Sequence, residues 1–310
     1  MIVTGRRHWW QKIVHPGAVL VAPAFILYTA FFVWPAIQAL GVSMYDWTGF
    51  APKMKFIGLQ NFEELWYEGL YWKAVQNNFI FMIGVGILML VFSLLFAAVL
   101  SNRKFIGRRF FKMTLFAPYV VSVVAIAVLW TFIYDPKWGL LNAILSGIGK
   151  FLTGNLGYKA GIPWLGSRWM AIGSLSAVMV WAGVGFYVIL LMAGIDRIPD
   201  DLYEAARIDG ANERQSFFHI TLPLLREVLV IAVSIHIIGS LKQFGLVWAM
   251  TRGTNFTHTM ETYMYDVAFE PRTMSFRMGY GTSMTVVLFF MVVLMTFTFN
   301  RIMRRAEVEF

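Results

Sequence analysis

Between two long apolar runs, Met170–Gly194 and Val228–Met250, the chain reads Asp201-Leu-Tyr-Glu204-Ala-Ala-Arg-Ile-Asp209-Gly210-Ala-Asn-Glu-Arg-Gln-Ser-Phe217-Phe-His-Ile220-Thr-Leu-Pro223. The contrast between this polar insert and its flanks decides the fold. The first flank holds no charged residue, and the second holds only His236 and Lys242 as ionisable groups. Each exceeds the ~20 residues needed to cross a bilayer as a helix. Working outward, Ala18–Gly41, Phe79–Leu100, Met113–Tyr134 and Gly279–Asn300 are further charge-free runs of that length. Hydrocarbon offers no water to the backbone, so each run must close its hydrogen bonds internally as a helix. The expected fold is therefore all-α, a polytopic membrane protein with six transmembrane helices at about 18–41, 79–100, 113–134, 170–194, 228–250 and 279–300. Composition agrees: 58% of the 310 residues are apolar and 14% are charged, against roughly 25% charged in soluble domains.

The insert itself reads helix, glycine, helix. Asp201 with Glu204, and Asn212 with Gln215, have capping-box spacing. Gly210 follows the first helical stretch, where a left-handed cap is cheap only for glycine. Ala205 and Ala206 leave a bare surface open to close approach by a partner.

The charge of +9 is a topology signal, not a nucleic-acid signal. Fifteen of the 26 Lys and Arg lie in Met1–Gly17, Ser101–Lys112, Ile195–Glu227 and Arg301–Phe310. Ten lie in the longer segments Val42–Asn78, Asp135–Trp169 and Thr251–Met278, and Lys242 is the last. The positive-inside rule then places both termini and the 200–223 insert in the cytoplasm. Arg6, Arg7 and Lys12 precede a run too long for a signal-peptide core, so an uncleaved first span is expected. Pro23, Pro35 and Pro118 should kink the first and third spans. Tyr45–Trp72 reads as an interfacial helix with aromatic anchors at Trp47, Phe50, Trp66 and Tyr71. Leu140, Leu141, Ile144 and Leu145 have helical spacing, and Trp138, Trp164 and Trp169 read as interfacial anchors.

Several chemistries are excluded. The absence of cysteine removes disulfides and thiolate metal sites. No Gly-x-x-x-x-Gly-Lys-Ser/Thr run exists, so the sequence contains no phosphate-cradling loop. No His-Glu-x-x-His spacing occurs, and the five charge-free spans carry no carboxylate pair for acid–base work. No catalytic residue and no metal ligand is assigned. The polar groups within spans form one set: His236, Ser240 and Gln243, at i, i+4 and i+7, share a helix face about 60° wide. They read either as a sugar-binding path or as hydrogen bonds between helices. Trp181-Ala-Gly183-Val-Gly185-Phe186-Tyr187 reads either as close helix packing or as ligand contacts through Gly183 and Phe186.

Glu204-Ala205-Ala206, Asp209-Gly210-Ala211, Ile220 and Leu222-Pro223 resemble the EAA loop of permease subunits of binding-protein-dependent ABC importers, most closely the carbohydrate-uptake permeases of the maltose-permease type. Gln243–Gly253 and Met278–Ser283 resemble the stretches that follow that loop. The family often has Asp where Gly245 stands and Gly-Gly-Pro where Gly253-Thr-Asn255 stands. The resemblance implies the six-helix bundle of type I ABC importer permeases (MetI-like) as a single transmembrane domain over 1–310. It implies a cytoplasmic coupling loop at 200–223 in which Glu204, Ala205, Ala206, Asp209 and Gly210 meet an ATPase, with Asp209 fixing the glycine turn. It implies substrate-path contacts at Gly183, Phe186, His236, Ser240 and Gln243. The implied cargo is a di- or oligosaccharide moved by alternating access. The implied partners are a second, related but different permease, two ATP-binding subunits, an extracytoplasmic sugar-binding protein and the bilayer. ATP would bind on the partner subunits, with no cofactor on this chain. The location is a bacterial or archaeal inner membrane. Uptake of glycerol phosphate or another polyol ester, and ATP-independent secondary transport, are the alternatives.

Overall fold

Long apolar helices interrupted at prolines, glycines and buried polar groups make up the computed structural model, which describes residues 16–50, 52–101, 106–155, 159–269 and 276–304. The basic positions Arg6, Arg7, Lys12, Arg103, Lys104, Arg272 and Arg305 used in the topology reading lie outside the described residues. The first span comprises α1 (Pro16–Tyr28), a π-helical turn at Thr29–Val33 and α2 (Trp34–Val42). Pro35 stands in the first turn of α2. A register change to i→i+5 bonds just ahead of a proline absorbs its missing N–H. Two short strands follow, β1 (Tyr45–Asp46) and β2 (Lys55–Phe56), then α3 (Gln60–Tyr67). The second span is α4 (Gly69–Ile80), a π-helical turn at Phe81–Val85, and α5 (Gly86–Ser101). It starts ten residues before Phe79 because Tyr71, Ala74, Val75, Asn77 and Asn78 are buried.

The third span is broken. Helices α6 (Arg108–Val120) and α7 (Val123–Ile133) meet at 98°. Pro118 withholds a helix N–H, and Val121 turns to an extended ψ of 143°, so the expected kink is a near right angle. Then come α8 (Leu140–Thr153) and the 28-residue α9 (Arg168–Ile195), which contains the fourth span. The insert forms α10 (Asp200–Ile208), α11 (Glu213–Ser216), a π-helical turn at Phe217–Thr221 and α12 (Leu222–Leu224). The fifth span is not continuous either. Helix α13 (Arg226–Leu241) stops, and α14 (Gly245–Thr251) resumes after Lys242–Phe244. Lys242 caps α13 and is exposed. After α15 (Met260–Phe269), α16 (Met278–Arg304) completes the sixth span. Among the described residues four helices are long and apolar enough to cross a bilayer, and the number reaches at most six if the bent pairs α6–α7 and α11/α12–α13 each count as one span.

Contacts divide the chain into two units where the sequence suggested one domain. One comprises 1–66 with 267–286, the other 67–266 with 287–310. In the first unit, the apolar stretch Leu20–Val42 buries none of its residues. Strand β1 pairs antiparallel with β2, Tyr45 opposite Phe56. The buried Asn61 amide donates to the Ser43 and Tyr45 carbonyls at 2.9 and 3.0 Å. The Gly279 N–H donates to the Trp47 carbonyl at 2.9 Å, and a Cβ at Gly279 would overlap the Tyr45 carbonyl. Arg277 grips Glu64 with both terminal nitrogens and lies 4.2 Å over the Tyr280 ring. That hydrogen-bonded pairing holds the Glu64 carboxyl below its usual range. The interfacial helix expected over Tyr45–Trp72 is only the eight-residue α3. Phe50 and Trp66 are exposed as anchors should be, whereas Tyr71 is buried in the second span.

In the second unit, α9 is the central post. It packs against α5 and α6, with Leu175, Val178, Val188 and Leu191 fully buried. Helix α6 crosses α9 so closely that a Cβ on Gly185 would overlap the Leu115 carbonyl and come within 2.8 Å of the Phe116 Cα. Backbone cannot yield as a side chain can, so Gly185 is a packing residue. Trp130 and Trp181 meet edge to face at 5.5 Å, and Tyr134 tilts over Trp164 at 5.9 Å. The Trp164 indole donates to Asn142 Oδ1 at 3.2 Å, so Trp164 ties loop to helix, whereas Trp138 and Trp169 are exposed. Gly185→Val should separate α6 from α9 at a cost of about 1–3 kcal/mol. Fluorescence-detected size exclusion after heating should show the lowered midpoint, with Gly173→Val, whose Cβ meets open space, as the silent control.

Candidate functional site

The polar insert is preorganised by its own backbone. Helix α10 begins after Pro199, with Asp200 and Asp201 already in its first turn, where carboxylates face the positive end of the helix dipole. Asp201 therefore has helical backbone, and the expected capping box with Glu204 does not form. The second box does: Asn212 Oδ1 accepts from the Gln215 N–H at 2.9 Å, and Gln215 Oε1 accepts from the Asn212 N–H at 2.8 Å. Between them Gly210 has φ +82°. Its N–H donates to the Arg207 carbonyl at 3.1 Å, and the Ala211 N–H to Ala206 at 2.9 Å. This pair of bonds is a Schellman cap. The Asp209 carboxylate makes no hydrogen bond among the described residues, so the backbone fixes the turn and Asp209 does not. Tyr203 and Thr221 exchange a hydroxyl hydrogen bond at 2.9 Å, tying the two arms together.

What this loop presents is equally defined. Glu204, Ala205, Asp209 and Gly210 are exposed and Ala206 is half-buried. Ile208 is 87% exposed and Leu202 43%, apolar surface on an otherwise polar knob. Asp200, Asp201, Glu204, Asp209 and Glu213 stand against Arg207 and Arg214 alone, so the knob is acidic. At its base, Arg108 reaches Asp196 at 3.5 Å.

A second feature lies among the spans. A cavity of about 290 Å³ is lined by α5, α6, α7, α9, α13 and α14 with their adjoining turns. It gathers Gly183, His236, Ser240 and Gln243, four of the five expected path residues. Gln243 lies beyond the end of α13, so the broken span, and not a continuous helix face, brings it in. Phe186 is not in the wall. It stacks on Tyr119 at 4.8 Å with planes 21° apart, and Tyr119 is the lining residue.

The members of this wall differ in freedom. His236 Nε2 lies 3.0 Å from the Met82 carbonyl and 3.1 Å from Ser240 Oγ. A carbonyl only accepts, so this nitrogen carries the proton. The π-helical turn at Phe81–Val85 leaves a carbonyl without its usual partner, and His236 takes it. Gly86 lets the ring approach, since a Cβ there would lie 2.9 Å from it. His236 is thus an interhelical bond, and Ser240 is joined to it. The Gln243 amide makes no side-chain hydrogen bond among the described residues and lines the cavity. Tyr119, Tyr187, Met89 and Phe81 were not singled out from sequence. Only the Pro118-Tyr119 adjacency hinted that a ring stands at the break of the third span. No Asp, Glu, Lys or Arg lines the cavity.

Four to six apolar helices of bilayer-crossing length, an exposed capped loop and an uncharged inner cavity are the features of a membrane permease. Residues 89–307 match the model of the family described as binding-protein-dependent transport system inner membrane component. The chain belongs to that family and is a permease subunit of an ABC importer. It is 32% identical over 296 residues to the diacetylchitobiose uptake system permease protein NgcF of Streptomyces coelicolor (strain ATCC BAA-471 / A3(2) / M145), covering 91% of this chain and 80% of that protein. It is 31% identical over 285 residues to the lactose transport system permease protein LacF of Rhizobium radiobacter, covering 91% of each. Its fold matches a chain of the bacterial alginate ABC transporter, solved in complex with an alginate pentasaccharide-bound periplasmic protein, with a TM-score of 0.77 at 20% identity, covering 96% and 94% of the two chains.

Valine at Gly210 cannot take the left-handed conformation without about 1–2 kcal/mol of strain, and Asn212→Ala should cost about 1 kcal/mol through the lost cap. Both should raise the rate of tryptic cleavage after Arg207 and Arg214 in the solubilised protein, Gly210→Val more than Asn212→Ala.

Proposed function

We propose that this chain forms one half of the membrane pathway of an ATP-driven importer and passes an uncharged di- or oligosaccharide into the cell by alternating access. The observation that carries the coupling half is the exposed loop, locked by a Schellman cap at Gly210 and a reciprocal box at Asn212. A force-transmitting element must keep its shape under load, and a self-capped loop does. Glu204, Ala205, Ala206, Asp209 and Gly210 are the surface offered to two separate ATP-binding subunits. The excess of carboxylates calls for a basic cleft on the ATPase, and Ile208 for an apolar seat within it. This requires the loop and both termini to lie in the cytoplasm, which the asymmetry of Lys and Arg favours.

The cargo half rests on the cavity and on relatives. Gln243 supplies amide donors and an acceptor for sugar hydroxyls, and Tyr119, backed by Phe186, supplies a flat ring. Relatives named for diacetylchitobiose and lactose uptake, and a similar fold in an alginate transporter, support a carbohydrate. A glycerol phosphate would want a cation, and this wall has none. A related but different permease completes the pathway, and an extracytoplasmic sugar-binding protein delivers cargo, in keeping with the periplasmic protein seen with the alginate transporter. ATP acts on the partner subunits, and no cofactor is assigned to this chain.

Reconstituted with its partner subunits, Glu204→Lys and Gly210→Asp should each lower ATP-dependent sugar uptake at least tenfold, about 1.4 kcal/mol of lost coupling, and weaken ATPase co-purification. Wild-type uptake in both would overturn the coupling reading. Gln243→Ala should raise the half-saturating sugar concentration while ATPase association stays intact.

A further inference from the structure

Two adjacent asparagines on α4, Asn77 and Asn78, are fully buried and belong to neither surface described above. A buried amide in an apolar helix is tolerated when its hydrogen bonds are made, and here they are. Asn78 Nδ2 donates to the Ser240 and Leu241 carbonyls at 2.7 and 3.1 Å, and Asn78 Oδ1 accepts from the Met260 N–H at 2.8 Å. Asn77 Nδ2 donates to the Phe256 and His258 carbonyls at 2.7 and 2.8 Å, and Asn77 Oδ1 accepts from Arg168 at 2.9 Å.

The partners are groups that the broken fifth span leaves wanting. The last four carbonyls of a helix have no N–H above them, and Ser240 and Leu241 end α13. Beyond the break, Arg252, Asn255 and Phe256 all have positive φ, at 48°, 55° and 58°, a conformation that persists only where neighbours impose it. Asn77 holds that turn at Phe256, and Asn78 joins the end of α13 to the start of α15. The Met260 N–H is anchored by Asn78 next to Thr259, whose hydroxyl donates to the Gln243 carbonyl. The Gln243 carbonyl is thereby held from the start of α15 while the Ser240 carbonyl is held by Asn78 itself.

We propose that Asn78, with Asn77 beside it, is a positioning residue of the transport path. It fixes the interruption of the fifth span so that Ser240 and Gln243 face the cavity, and this role rests on the reading of that cavity as the path. Asn78 itself touches no cargo. Removing its amide should let the segment from Leu241 to Gln243 relax and carry the Gln243 side chain out of the wall.

The cysteine-free sequence permits a local test in membranes containing the full chain. Single Gln243→Cys and Ile208→Cys variants are reacted with a small membrane-permeant maleimide, with Asn78 intact or replaced by Leu. The expected result is a change of at least about fivefold in the Gln243→Cys labelling rate, the scale of a lost buried hydrogen bond, with Ile208→Cys unmoved. Asn78→Gln, which keeps the amide, should restore most of the original rate. Should Asn78→Leu fail to accumulate, Thr259→Val cuts the bond to the Gln243 carbonyl from the other side and should move the same rate. An unchanged Gln243→Cys rate in accumulated variants overturns the proposal, and so does an equal change at Ile208→Cys, which would mark general loosening. Labelling needs no cargo, so it remains decisive even if Gln243→Ala leaves uptake intact.

Discussion

Every interruption of a helix inside hydrocarbon must find hydrogen-bond partners within the protein, and the architecture depends on how this chain meets that demand. It has three kinds of answer. A π-helical turn at Thr29–Val33 accommodates Pro35 within the helical run. A second, at Phe81–Val85, presents a carbonyl that His236 closes from a neighbouring helix. Where the fifth span stops outright, the Asn78 amide takes the last carbonyls of α13 and accepts from the first N–H of α15. His236 and Asn78 stand where the backbone would otherwise be left unpaired.

The same demand shapes the cavity. A straight third span and a straight fifth span would present only their helical faces to the interior. The 98° break after Pro118 and the gap after Leu241 bring Tyr119 and Gln243 to one wall. The exposed loop follows the opposite logic: it caps the end of α10 and the start of α11 with its own atoms. One element is irregular and held by neighbours, while the other is regular and holds itself.

Much of this was legible in the sequence because composition along the chain is so uneven. Charge-free runs of about 20 residues admit one reading, and the helix–glycine–helix pattern around Gly210 was plain. The box at Asn212–Gln215 was read correctly, but the one at Asp201 was not, because Pro199 starts the helix earlier than the spacing alone suggests. Pro118 signalled a kink in the third span but not its 98°, and a continuous apolar run concealed the break in the fifth: hydropathy is indifferent to whether a helix continues or turns. His236, Ser240 and Gln243 were grouped by an ideal helical wheel. They do converge, but on a helix that ends between the second and third of them. Phe186 was placed in the wall from a motif, whereas the ring in front of it, Tyr119, sits on another helix, and that pairing is a tertiary fact. Asn77 and Asn78 lie just before and at the edge of an apolar run, where two amides read as an ordinary boundary.

Gly183 and Met89 show what the cavity has in reserve. A Cβ at Gly183 would fall 2.7 Å from the terminal methyl of Met89, the far end of a flexible, unbranched thioether. Gly185, two residues on, faces unyielding backbone. Natural drift at the first position therefore reshapes the chamber by swinging one soft arm, whereas drift at the second dismantles the scaffold. A small replacement at Gly183 changes the shape of the chamber and leaves the helix packing behind it in place.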